Sequence, residues 1–189
     1  YKRVLGFYYM ILMITCIFVT MWGKEIIALM SNSAYGAAYL LLPGLLFGQV
    51  MYGVSVIVGY GLSFEKKTNY IFAANVIGAV LNIVLNFAFI PSFGVEAAAY
   101  TTYVGYFVMA ILLYVFAQKF YPCDYAISKV IISNVIIIAL ATFMNHYEMA
   151  LGIRALLTAA SLALIFILYR DAIKDIFMIL VRVKRKIRG

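Results

Sequence analysis

The stretch "NVIGAVLNIVLNFAFIP" (residues 75–91) carries no charged residue from end to end. A surface helix of a water-soluble protein shows one apolar stripe, whereas a helix that is apolar all round is buried in protein or in a membrane. Only Asn75, Asn82 and Asn86 interrupt the oil here. With its flanks the stretch extends over roughly 70–90, and about 20 mostly apolar residues cross a hydrocarbon core. The segments 4–23, 36–62, 96–118, 127–145 and 150–169 meet the same test. Membrane β-strands would alternate over about 10 residues, but these runs are continuous. The sequence therefore predicts an all-α integral membrane bundle of six transmembrane helices.

Composition agrees. Of 189 residues, 67% are hydrophobic and 12% charged, against roughly 45–50% apolar in soluble domains. Mean hydropathy is +1.04. A soluble fold would lack the polar residues to cover its surface. The chain opens at Tyr1, with Lys2 and Arg3 leading into an apolar run and no small-residue cleavage site. It reads as a fragment, or one domain, of a longer chain.

The breaks between segments carry turn chemistry. Ser31, Asn32 and Ser33 in "MSNSAYG" are N-cap residues, "SFEKKTN" (63–69) is a short polar turn, and "NHYEM" (145–149) is a tight one. Pro91 is expected to stop the third helix, with Gly94 restarting the chain. Pro43 is expected to kink the second helix from inside. No repeat or low-complexity linker divides the chain, so residues 1–170 form one bundle and 171–189 a basic, partly amphipathic tail.

The charges orient the bundle. Thirteen of the 15 Lys and Arg residues fall at alternate breaks counted from the N-terminus, and only Lys24 and Arg154 fall at the others. That asymmetry is the positive-inside rule, and it places both ends of the segment on the cytoplasmic face. The net charge of +8 thus faces the anionic leaflet of the lipid bilayer, not nucleic acid. Arg154 is expected to snorkel to the headgroups, Trp22, Lys24 and Glu25 to anchor an interface, and His146 to lie exposed in a loop. Tyr8, Tyr9, Tyr60, Tyr70, Tyr121, Tyr125 and Tyr169 stand near helix ends, where an aromatic belt belongs.

The residues suggest neither an enzyme nor a cofactor site. Cys16 and Cys123 share no ligand spacing with the single histidine, so no metal is implied. The acidic residues all fall at breaks or helix ends, away from the membrane depth where an ion-coupled pump keeps one. Neutral polar groups remain. Asn75, Asn82 and Asn86 lie 7 and 4 residues apart, which puts them on one helix face. Two readings stay open: hydrogen bonds to a neighbouring helix, or the lining of a path for a polar substrate. Gln49, Tyr52 and Tyr103 join that substrate-path set. Pro43, Gly44, Gly48, Pro91, Gly94 and Gly105 form a hinge and packing set, with Gly44-x-x-x-Gly48 a small-residue motif and Ala97, Thr101 and Gly105 another small face.

The run "GLSFEKKTNYIFAANVIGAVLNIVLNFAFIPSFGVEAAAYTTYVGY" (61–106) resembles the C-terminal region of bacterial polysaccharide biosynthesis proteins. These are the O-antigen and capsule repeat-unit flippases of the multidrug/oligosaccharidyl-lipid/polysaccharide exporter superfamily. The matching residues are Lys67 and Thr68, Asn82 and Asn86, Ile90, Pro91, Phe93 and Gly94, then Ala97, Ala98 and Thr101. Glu96 departs from the pattern. The resemblance implies one lobe of a two-lobed, alternating-access transporter in the cytoplasmic membrane, with the N-terminal lobe as its partner. Its cargo would be an undecaprenyl-pyrophosphate-linked oligosaccharide, handed on to a polysaccharide polymerase and chain-length machinery. A cation-coupled multidrug exporter of the same superfamily and a non-transporting glycan-assembly component are the alternatives. Asn75 matches nothing in the family pattern and is the expected substrate-specific contact.

Overall fold

The computed structural model describes residues 2–30, 37–147, 149–172 and 174. Among these the regular structure is all helical: α1 (Lys2–Met21), α2 (Gly23–Met30), a 3-10 turn (Ala38–Leu41), α3 (Leu42–Phe64), α4 (Thr68–Phe93), α5 (Val95–Phe120), α6 (Ile127–His146) and α7 (Leu151–Leu168). Six spans are long and apolar enough to cross a membrane, at Arg3–Met21, Ala38–Phe64, Thr68–Phe93, Val95–Phe120, Ile127–His146 and Leu151–Leu168. They fall on the six stretches read from the sequence. The fold is an all-α bundle of a multi-pass membrane protein.

The helices run up and down. At one end Arg154 reaches Glu25, and the Asn145 side chain donates to the Tyr39 carbonyl at 3.3 Å. That joins the C-terminus of α1 to the N-terminal ends of α3 and α7 and the C-terminus of α6. At the opposite end Tyr70 stacks on Phe116 and Phe120, and Lys67 lies 5.3 Å from the Phe120 ring centroid. There the loop before α6 is held by Gln118, which donates to the Cys123 carbonyl at 2.6 Å and accepts its N–H at 3.1 Å.

Packing is tightest between α3 and α5. A Cβ on Gly44 would lie 2.6 Å from the Ala99 backbone, and one on Gly48 would lie 3.4 Å from Tyr103 Cα. Small residues let backbones approach where lipid gives helices no hydrophobic reason to associate, so dispersion at short range binds them. Tyr9, Met13, Ile17, Phe47, Met51, Val54 and Leu62 fill the centre, each fully buried. α4 is different. It packs on α5, and of its residues only Ala74 and Gly78 are buried.

Pro43 and Pro91 depart from expectation. Pro43 lies in the first turn of α3, after the 3-10 turn, and produces no mid-helix kink. The first-turn N–H groups have no intrahelical acceptor, so proline costs little there. Pro91 lies inside α4 and does not end it: the helix runs on to Phe93. Gly94 makes the break, at φ 67° with its N–H on the Ile90 carbonyl at 2.8 Å. The expected caps Ser31, Asn32 and Ser33, the turn residue Glu148 and residues 175–189 of the tail lie outside the described residues.

Candidate functional site

α3 and α4 flank α5 and leave a groove between them. A cavity of about 220 Å³ there is lined by Tyr52 from α3, by Asn75, Gly78, Ala79 and Asn82 from α4, and by Thr102, Gly105, Tyr106 and Met109 from α5. The periodicity of α4 explains its wall, because positions 75, 78, 79 and 82 recur on one face. The Tyr52 and Tyr106 rings stand 5.2 Å apart at 50° and form an aromatic corner opposite the amides.

The three asparagines have different surroundings. Asn82 donates to Thr102 Oγ1 at 3.3 Å and to Thr101 Oγ1 at 3.5 Å. Asn86 donates to Asn82 Oδ1 at 3.3 Å and accepts from the Thr101 hydroxyl. These four side chains form one network between α4 and α5, so most of the cost of a carboxamide in hydrocarbon is met inside the protein. Asn75 is exposed at the groove's edge, and none of the described residues hydrogen-bonds its carboxamide. Gln49 is exposed on α3 one turn from Tyr52.

Of the other substrate-path residues, Tyr103 points away from the groove. Its hydroxyl donates to Asn134 Oδ1 at 2.8 Å, and Asn134 is fully buried. Beside it the Tyr9 hydroxyl lies 2.9 Å from both the Val130 carbonyl and Ser133 Oγ. Tyr9, Tyr125 and Tyr169 are therefore core residues, not members of an interfacial belt. Within the hinge and packing set, Gly105 meets Gly78 where α4 touches α5, and Gly44 and Gly48 meet α5 from the other side.

Two polar contacts of this fold escape a sequence reading. Arg154 does not snorkel. It donates from Nη1 and Nη2 to the Glu25 carboxylate, with Nη2 to Oε2 at 3.0 Å, donates also to the Met21 carbonyl, and stands 5.3 Å from the Trp22 ring centroid. The Arg154 hydrogen bond holds the Glu25 carboxyl below the usual carboxylate range. His146 is exposed as expected, but it is the last residue of α6 rather than a loop residue. Its Nε2 lies 3.2 Å from Glu96 Oε1, and its Nδ1 is 3.0 Å from the Thr142 carbonyl. Asn134 gives the same signal as the α4 asparagines, an amide in an oily run, and was legible on that ground.

The groove's lining holds amides, hydroxyls and aromatic rings, with no ionisable carboxylate or cation. Such a surface hydrogen-bonds and stacks on uncharged polar groups but has no acid–base couple for bond chemistry. No family model and no solved structure matches this chain. Among curated proteins it aligns over 149 residues, at 26% identity, with the probable low-salt glycan biosynthesis flippase Agl15 of Haloferax volcanii. The alignment covers 78% of this chain and 32% of that protein, so the chain spans about a third of its relative's length. This multi-pass membrane chain is thus distantly similar to a flippase of glycan biosynthesis.

Proposed function

We propose that the chain forms one lobe of an alternating-access transporter that moves a lipid-linked oligosaccharide across the membrane, and that the α3–α4–α5 groove is part of the glycan's path. The observation that carries this reading is a neutral polar groove at membrane depth. Tyr52 and Tyr106 offer ring faces and Asn75 an amide, the chemistry that binds sugar hydroxyls without charge. The similarity to a probable glycan biosynthesis flippase supports the same cargo class. A cation-coupled exporter calls for a carboxylate at depth, and the groove's lining has none. In this reading a second lobe faces the groove and supplies the cations that a pyrophosphate requires. The basic ends of the helices lie in the cytoplasm of a bacterial host, and the flipped unit passes to polymerising and chain-length enzymes.

The test uses the full-length transporter in a strain deleted for its gene. Loss of the protein should leave lipid-linked repeat units on the cytoplasmic side, and Tyr52→Ala with Asn75→Leu should reproduce that block at normal protein levels. Normal surface glycan in the deletion strain would overturn the proposal.

A further inference from the structure

A second cavity, of about 500 Å³, lies on the other flank of the α4–α5 contact, beside α6. Its wall is mostly hydrocarbon, including Leu85, Phe89 and Phe93 of α4 and Val104 of α5. At its mouth stand Glu96 and His146. A polar basin of about 280 Å³ adjoins it, lined by Lys24, Glu25, Asn145, His146 and Arg154 among others. His146 belongs to both walls. An apolar slot and a charged basin that share one residue make an amphipathic site.

Its depth matches a bilayer leaflet. Glu96 to Val104 spans eight residues, about 12 Å at 1.5 Å each, within the ~15 Å half-thickness of a hydrocarbon core. The charged end sits at the end of the bundle and the apolar end at depth, as headgroup and acyl chain do.

The charges select the headgroup. Lys24, Arg154 and Glu25 line the basin and Glu96 the adjoining slot, so two cations are balanced by two carboxylates, which suits a zwitterion better than a net anion. His146 Nε2 lies 3.2 Å from Glu96 Oε1 and its Nδ1 3.0 Å from the Thr142 carbonyl, so the ring is held beside Glu96. In the adjoining basin a phosphate finds the positive charge of Lys24 and Arg154. A carboxylate has several acceptor sites, so Glu96 can hold both His146 and an ammonium N–H. A choline headgroup has no N–H to give.

We propose that the cavity beneath Glu96 and His146 binds a bilayer phospholipid with a zwitterionic primary-amine headgroup, its acyl chain against Phe89 and Val104 and its ammonium on Glu96. The site does not depend on which glycan, if any, passes through the groove.

The test is native mass spectrometry of the full-length, delipidated protein with added phosphatidylethanolamine, phosphatidylcholine or phosphatidylglycerol of matched acyl chains. Wild type should retain phosphatidylethanolamine at least five-fold over the other two. Val104→Trp, which fills the slot, should lower that retention at least ten-fold. Glu96→Gln, a near-isosteric surface change, should bring the phosphatidylethanolamine-to-phosphatidylcholine ratio close to one while acyl-chain binding persists. Equal retention of the three lipids, or preference for the anionic one, overturns the proposal. So does an unchanged preference in Glu96→Gln, which remains decisive if Val104→Trp fails to fold.

Discussion

Gly105 of α5 lies against Gly78 of α4 so closely that a Cβ built on Gly105 would stand 3.0 Å from the Gly78 carbonyl oxygen and 3.2 Å from Asn82 Cβ. α4 has little other cover, since only Ala74 and Gly78 of its residues are buried. The helix is therefore positioned by this contact and the amide–hydroxyl network beside it. Gly105→Ala should destabilise by about 1 kcal/mol and Gly105→Leu by about 3 kcal/mol, the range for overpacking a closed contact. Thermal unfolding of the full-length protein in detergent measures both. Equal melting temperatures for wild type and Gly105→Leu would refute the close contact.

The α4 asparagines should separate experimentally. Asn82 and Asn86 hold Thr101 and Thr102 across the helix contact, and interhelical hydrogen bonds of this kind are worth roughly 0.6–2 kcal/mol. Asn82→Leu should lower stability by that amount. Asn75→Leu should leave stability within about 0.5 kcal/mol, as exposed substitutions do, and reduce transport instead. If the two variants lose stability equally, the division of roles is wrong.

Helix number, spans and apolar character were legible because lipid imposes one rule. Every crossing segment needs about 20 apolar residues with its backbone satisfied internally. The facing of single residues was not legible, because it depends on neighbours distant in the chain. Tyr9 sits near a helix end, as a belt residue would, yet its partners Val130 and Ser133 are on α6. Arg154 and Glu25 are separated by 129 positions, and no local pattern pairs them. Pro43 looks like a mid-helix residue because nothing local in the sequence marks the 3-10 turn that moves it to the first turn of α3. The amide stripe on α4 was legible as a stripe, but its split into a network and an exposed edge required α5.

The Arg154–Glu25 pair joins α7 to the α1–α2 junction and should carry a pH signature. The Arg154 hydrogen bond lowers the Glu25 pKa. A carboxyl depressed in the fold contributes fully above its unfolded value, about 4.3 for Glu, and loses that contribution as pH falls through the folded value. Glu25 is half open to solvent, so the contribution should be on the order of 1 kcal/mol. The melting-temperature gap between wild type and Glu25→Gln should stay constant from about pH 7 to pH 5 and shrink below about pH 4. A gap that widens on acidification would contradict the pairing.

Tyr103 and Asn134 give the sharpest division between path and core. The Tyr103 hydroxyl donates to Asn134 Oδ1 at 2.8 Å, and Asn134 is fully buried. Tyr103→Phe removes one donor and leaves a buried acceptor unpaired, which costs about 1–3 kcal/mol. Asn134→Leu in the same protein removes the orphaned acceptor as well. The double variant should therefore be more stable than Tyr103→Phe alone, the sign of coupling in a double-mutant cycle. Transport per folded molecule should be unchanged in Tyr103→Phe, because its hydroxyl does not reach the groove. Loss of transport at full stability would return Tyr103 to the substrate path and place that path between α5 and α6.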